Sequence, residues 1–278
     1  MFELFEQSAF KTSKEITNLY STSFGKGIEA LDKKLRNPIY GIYGFVRYTD
    51  EIVDTFFKFD QRLLLDEFVE ETYKAIDRKI SLNPVLHAFQ SVVNEYDIER
   101  ELIDAFIASM KMDLDKIKYN QFFYSEYIYG SAEVVGLMCL KVFTERNVEL
   151  YNQLQPFAKS LGAAFQKINF LRDIQSDFED RGRVYFPGVD FSAFSSEKKK
   201  EIEADIQNDF DLAYKGILLL PKSSRGGVYL AYAYYLALFS KIKKVAAARI
   251  LNERIRVPDS EKIVLMTKTY FRNKFNLI

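Results

Sequence analysis

Apolar residues recur at three and four positions over long stretches of this chain, and only 12 Gly and 6 Pro interrupt them in 278 residues. That period keeps one stripe of a helix apolar, whereas a half-buried strand would alternate with period two, so the fold class is all-α. The spacing predicts helices over 12–24, 37–58, 61–78, 83–95, 98–116, 122–143, 147–178, 195–219, 225–245 and 259–275. Pro38 and Pro84 are placed in first turns, where the missing N–H costs nothing, and Pro187 and Pro221 just beyond helix ends. No repeat, low-complexity tract or Ser/Gly/Pro linker divides the chain, so residues 1–278 read as a single domain. The one long irregular connection expected is "GRVYFPGVDFSAFSSEKKK", directly after an acidic stretch; long loops of this kind often serve function.

Charge and cysteine content exclude several functions. Lys plus Arg and Asp plus Glu both total 39, so no global field recruits nucleic acid or an acidic membrane. A single Cys139 rules out a disulfide framework or cysteine zinc site, and a single His87 argues against histidine-ligated metal. His87 and Cys139 read as an ordinary helix residue and a core residue. The start of the chain carries acids and no continuous apolar run, unlike a signal peptide. The longest uncharged run, Gly226 to Ser240, is shorter than the roughly 20 residues that span a bilayer and reads as a buried helix. A reduced, cytoplasmic setting is expected, with at most peripheral membrane contact.

Two stretches carry the chemistry. In "YGIYGFVRYTDEIVDTFF", Tyr43, Arg47, Asp50 and Asp54 follow spacings of four, three and four. At about 100° per residue they share a sector of roughly 60°. In "QKINFLRDIQSDFEDRGRVYFP", Gln166, Asn169, Asp173 and Asp177 follow spacings of three, four and four and share a sector of about 80°. Glu179 lies about 180° from that face and is expected toward solvent or at a cap; the spacing leaves Asp180 unassigned.

A solvated face would place Lys four residues from such acids, because like charges at that spacing repel. Asp50 and Asp54 have no Lys between them, and their face runs on into Tyr43, so the polar stripe is expected to point inward. Buried carboxylates need cations. Aspartate pairs on two helices suit Mg²⁺, a hard ion that keeps waters and completes its shell with substrate phosphate; no EF-hand loop is present to favour Ca²⁺. A diphosphate-bearing substrate follows, with Arg47, Arg172 and Arg183 beside the acids as candidate phosphate partners.

"RYTDEIVD" resembles the first aspartate-rich motif of the squalene and phytoene synthase family, and the stretch from Gln166 to Pro187 resembles the second. The likeness continues through "YSTSF", "EYIYGSAEVVGLM" and "ERIRVPDSEK", and is strongest to the bacterial phytoene synthase branch. It implies an isoprenoid (terpenoid) synthase fold, with helices around a central apolar cavity and the two motifs facing across it. By the same resemblance Asp50, Asp54, Asp173 and Asp177 bind metal. Tyr43, Arg47, Gln166, Asn169, Arg172, Tyr185, Tyr235, Arg254 and Lys262 contact diphosphate or line its pocket. Ser21 and Ser23 fall in the segment covering the substrate, and Tyr129 stands near the reacting carbons with a proton-handling role. The chain departs from the family pattern at Thr22, where relatives often carry a basic residue, and at Glu133, where a small residue is common.

The implied activity is that of a prenyltransferase of the phytoene synthase kind. Two geranylgeranyl diphosphates join head to head through the cyclopropyl intermediate prephytoene diphosphate, to give phytoene for carotenoid biosynthesis. Mg²⁺ is the expected cofactor, with Mn²⁺ as a substitute, and NADPH is not expected. Nucleic acid is not an expected partner. Dehydrosqualene or squalene synthesis from farnesyl diphosphate is the alternative, and the sequence does not decide between C15 and C20 donors. A non-catalytic scaffold is disfavoured because it would have no use for four costly carboxylates.

Overall fold

A computed structural model describes residues 1–115, 119–179, 183–188, 194–251 and 253–275, with the side chains of Phe178, Glu179 and Lys274 left out of the description. The described residues contain no strand. The helices are α1 (Phe2–Tyr20), α2 (Thr22–Glu29), α3 (Lys33–Thr55), α4 (Gln61–Arg78), α5 (Pro84–Tyr96), α6 (Arg100–Leu114) and α7 (Gln121–Ile128). A π-helical turn, Tyr129–Glu133, leads into α8 (Val134–Thr144), followed by α9 (Val148–Glu179), α10 (Ser196–Leu219), α11 (Lys222–Lys243), α12 (Ala247–Ile250) and α13 (Asp259–Lys274). The all-α class is as the periodicity requires.

Two differences concern the first quarter of the chain. The expected helix over 12–24 begins at Phe2 and breaks at Ser21, whose extended backbone lets its hydroxyl accept from the Phe24 N–H at 3.3 Å and start α2. The buried face of α1 is built from Ala9, Ser13, Ile16 and Thr17, too small and polar to register as an apolar stripe. It serves close approach: a Cβ on Gly44 of α3 would lie 2.8 Å from Ser13 Oγ. Pro38 is the second difference. Asp32 caps α3 through the Lys34 N–H, so the helix starts four residues before the expected 37 and Pro38 lies inside it. Pro84 does occupy a first turn, and Pro221 caps the start of α11.

Two apolar cores flank the middle of the fold. One joins α3 to α6 and α8, with Phe45 stacked on Phe89 at 3.9 Å and packed against Phe106, and with Met138 in the same cluster. Burying such a ring contributes about 1.5–3 kcal/mol. The other joins α7, α9, α10 and α11 through Phe170, Leu171, Phe210 and Phe239. Between them α2, α3, α6, α8, α9, α10 and α11 line one cavity of about 650 Å³. The uncharged run 226–240 lies inside α11, as expected, and among the described residues no helix is long and apolar enough to cross a membrane. Residues 183–188 and 194–195 of the expected loop are irregular and 196–200 belong to α10; residues 182 and 189–193 lie outside the described residues, as do Asp180 and residue 116 of the expected helix 98–116.

Candidate active site

The cavity has a polar end and an apolar body. At the polar end α3 supplies Tyr43, Arg47, Asp50 and Asp54, and α9 supplies Gln166, Asn169, Arg172, Asp173 and Asp177, so the two acidic faces line one space. The body is walled by side chains such as Phe24, Val135, Phe157, Leu161, Ile217 and Val228.

Each aspartate pair is held by arginine. Arg47 donates from Nη1 to Asp50 at 2.6 Å and from Nη2 to Glu51, with its guanidinium 4.2 Å from the centre of the Tyr20 ring. Arg172 makes a two-pronged contact with Asp173, at 3.0 and 2.5 Å, and Arg254 Nε meets the same carboxylate at 2.8 Å. Burial lowers the affinity of Arg172 for its proton, but the Asp173 contacts overcome this and raise its pKa above the ordinary value. Burial also pushes the Tyr43 hydroxyl up to about 12, so it acts as a neutral hydrogen-bonding group. Tyr235 lies stacked on Phe165 at 3.8 Å and donates to Asn169 Oδ1 at 3.3 Å, orienting the amide of α9.

Arg183 also lines the cavity, and its guanidinium is held by protein groups. Its Nη1 donates to Asp54 at 2.8 Å, and its Nη2 donates to the Asp113 and Val53 carbonyls at 2.9 and 3.4 Å. Asp113, near the end of α6, is absent from the sequence-derived set, because "KMDLDKIK" reads as an ordinary charged helix end. Its side chain is only 2% exposed. Burial pushes its carboxyl up to about 7, against the pull of Arg183 and the Tyr127 hydroxyl. Tyr127 was also missed; its signal is the spacing 127, 131, 135, 139, which places one residue per turn on the cavity side.

The structure brings most sequence-derived residues together and leaves three out. Ser21, Tyr43, Arg47, Asp50, Asp54, Gln166, Asn169, Arg172, Asp173, Asp177, Tyr185, Tyr235 and Arg254 line the cavity; Ser23, Tyr129 and Lys262 do not. Tyr129 is two residues off the lining stripe of Tyr127, about 200° around the helix. It lies with Lys159 Nζ 5.1 Å from its ring centre. Lys262, on α13, pairs with Asp259 at 2.9 Å. Ser23 lies in the first turn of α2, where Ser21 is the residue that reaches the site. At Glu133, the end of the π turn, burial raises the carboxyl pKa against the pull of Lys159.

Among the described residues no three acidic, histidine or cysteine side chains converge closely enough to hold an ion alone. The oxygen-only donor set on two walls suits a hard cation that shares its shell with an anion. One buried donor of the site is unsatisfied within the protein: Arg47 Nε has no hydrogen-bond partner.

Comparison with known proteins places this architecture. The family model for squalene/phytoene synthase matches residues 17–261. A phytoene synthase of Arthrospira platensis is 27% identical over 294 residues, covering 95% of this chain and 93% of that protein. A 4,4'-diapophytoene synthase of Staphylococcus haemolyticus is 23% identical, over 83% of this chain and 86% of that protein. The crystal structure of a dehydrosqualene synthase in complex with ligand superposes with a TM-score of 0.82 at 21% identity, covering 97% of this chain and 98% of the other. With the family model spanning most of the chain and the isoprenoid synthase architecture around one acidic-ended cavity, the chain belongs to the squalene/phytoene synthase family.

Proposed function

We propose that the protein is a prenyltransferase that joins two geranylgeranyl diphosphates head to head, through prephytoene diphosphate, to phytoene, acting as one domain in carotenoid biosynthesis. The observation that carries this reading is the pairing of Asp50 and Asp54 with Asp173 and Asp177 at the mouth of one apolar-walled cavity. Carboxylates alone would repel a diphosphate, and an apolar body alone would take any lipid. Their combination fits a substrate with a diphosphate head, a divalent cation between head and carboxylates, and a long hydrocarbon tail.

Asp50, Asp54, Asp173 and Asp177 are the proposed holders of Mg²⁺, for which Mn²⁺ substitutes. When bound, the ion supplies Lewis-acid withdrawal of charge as the allylic C–O bond breaks. The protein's own residues do the rest. Arg47, with its unpartnered Nε, and Arg172 bind diphosphate oxygens. Tyr43, Asn169 and Tyr235 orient the head group. Phe24, Phe165 and Phe170 wall the space in which the allylic cation would form, exclude water and present ring faces to positive charge. No NADPH is required. The long-chain product would leave by peripheral contact of a cytoplasmic enzyme with a membrane; the exposed side chains of Ile263, Tyr270, Phe271 and Phe275 around α13 support that contact.

The second reading is condensation of two farnesyl diphosphates, as the name of the Staphylococcus relative suggests. Incubation with geranylgeranyl or farnesyl diphosphate and Mg²⁺, with and without NADPH, separates the two. The proposal expects a C40 hydrocarbon from the C20 donor without NADPH. Exclusive use of the C15 donor, or a need for NADPH to form the normal product, would overturn it.

A further inference from the structure

Asp113 stands where helix chemistry disfavours it. It occupies the last turn of α6, whose exposed carbonyls already carry partial negative charge, and its side chain is almost fully removed from water. A carboxylate in that position needs strong partners, and it has them. Tyr127 donates to Oδ2 at 2.7 Å, Tyr185 donates to Oδ1 at 3.2 Å, and Arg183 Nη1 lies 3.5 Å from Oδ1. These partners come from two places in the fold: Tyr127 from α7, and Arg183 and Tyr185 from the irregular segment after α9. The Tyr185 ring is further fixed by stacking on Phe170 at 4.1 Å.

Arg183 reaches both aspartate-bearing helices, one through its guanidinium and the other through its backbone. Arg183 Nη1 donates to Asp54 at 2.8 Å on α3, and its backbone N–H donates to the Asp177 carbonyl at 2.8 Å on α9. Arg183 is therefore a strap between the two acidic faces, and Asp113 is the anchor on its inner side. Without Asp113 the guanidinium would lose its buried counter-charge and two-sided grip, and the Asp54 carboxylate would lose its fixed orientation.

We infer that Asp113 is a positioning residue: through Arg183, and clamped by Tyr127 and Tyr185, it sets the orientation of Asp54 and the separation of the two aspartate pairs. It touches neither the proposed metal nor the diphosphate. This inference rests on the functional reading above, and its test is read by binding rather than turnover.

The test is calorimetric titration of inorganic pyrophosphate into wild-type protein and into Asp113→Asn, Arg183→Gln and the double variant, over a series of Mg²⁺ concentrations, with a thermal melt of each. Asp113→Asn keeps the shape but removes the charge and replaces one of the two acceptor oxygens with a donor. It is expected to raise the Mg²⁺ needed for half-saturation by about 10-fold or more, the scale on which outer partners of metal ligands act. Arg183→Gln is expected to do the same, and the double variant to be no worse than the more affected single one, because both changes break one strap. If Asp113→Asn does not fold, Tyr127→Phe with Tyr185→Phe removes only two hydroxyls, and a rise of at least about 5-fold is expected, the equivalent of one of the two lost hydrogen bonds at about 1 kcal/mol each. A folded Asp113→Asn protein, or failing that the tyrosine pair, that binds magnesium pyrophosphate like wild type would overturn the inference; so would additive effects of Asp113→Asn and Arg183→Gln. Wild-type protein that binds no magnesium pyrophosphate would overturn the functional reading, and the inference with it.

Discussion

At the scale of single residues, the site is a set of charges that satisfy one another and keep some capacity for an anion. Arg47 shows this best: two nitrogens hold Asp50 and Glu51, the face of the guanidinium rests on Tyr20, and Nε is unpartnered. A lysine there keeps the charge but has neither the planar fork nor the stacking face. Arg47→Lys is expected to lower kcat/KM by about 10- to 100-fold, the equivalent of one lost charge-assisted hydrogen bond of roughly 1.5–3 kcal/mol, measured by steady-state kinetics on the prenyl diphosphate. Tyr129 makes the opposite prediction. Since its ring lies off the cavity stripe under Lys159, Tyr129→Phe should change kcat/KM by less than about 3-fold, whereas a proton-handling role would cost about 100-fold or more. The aspartate faces were legible because helical spacing fixes them from sequence alone. Asp113 was not, because its burial depends on a segment some 70 residues later folding back over it.

At the scale of helices, periodicity read the long elements well and failed where tertiary contact or capping decides. The extra residue of the π turn at Tyr129–Glu133 shifts the inward face, which a uniform helix over 122–143 does not anticipate. The docking of α1 is another such case: the Phe2 and Phe5 rings pack on His87 of α5, with centroids at 6.0 and 4.6 Å. Burial lowers the His87 pKa, and its Nδ1 accepts from the Ser81 N–H at 3.3 Å. A histidine whose folded pKa is depressed contributes stability above its unfolded pKa, and that contribution is lost as pH falls through the folded value. Melting temperature is therefore expected to drop as pH falls below about 6.5, and His87→Phe should flatten that part of the profile. Where α10 meets α9, a Cβ on Gly216 would lie 2.1 Å from the Phe157 Cβ, and both residues line the cavity. Gly216→Ala is expected to cost about 1–3 kcal/mol in thermal unfolding. Pushing Phe157 inward should also cut kcat/KM for the C20 donor more than for the C15 donor; an unchanged ratio would show that this wall does not meet the chain.

At the scale of the whole molecule, the fold brings two distant acidic stretches to one end of an apolar chamber, with helices on either side buttressed by their own cores. The class of fold followed from the sequence, since nothing else accommodates such long apolar-periodic runs. The chamber did not, because its walls are the same Phe, Leu and Val that fill a core, and only three-dimensional placement distinguishes a wall from packing. The central claim is that the four aspartates act together, through Mg²⁺, on the diphosphate of a prenyl substrate. Its most direct test is single-turnover release of diphosphate from geranylgeranyl diphosphate by wild type, Asp50→Asn and Asp173→Asn, with Mg²⁺ and with the ion chelated. The account predicts release by wild type with Mg²⁺ only, and a loss of at least about 100-fold in each variant, beyond what loss of an outer partner costs. Release that persists without the ion, or at wild-type rate in either variant, would contradict it.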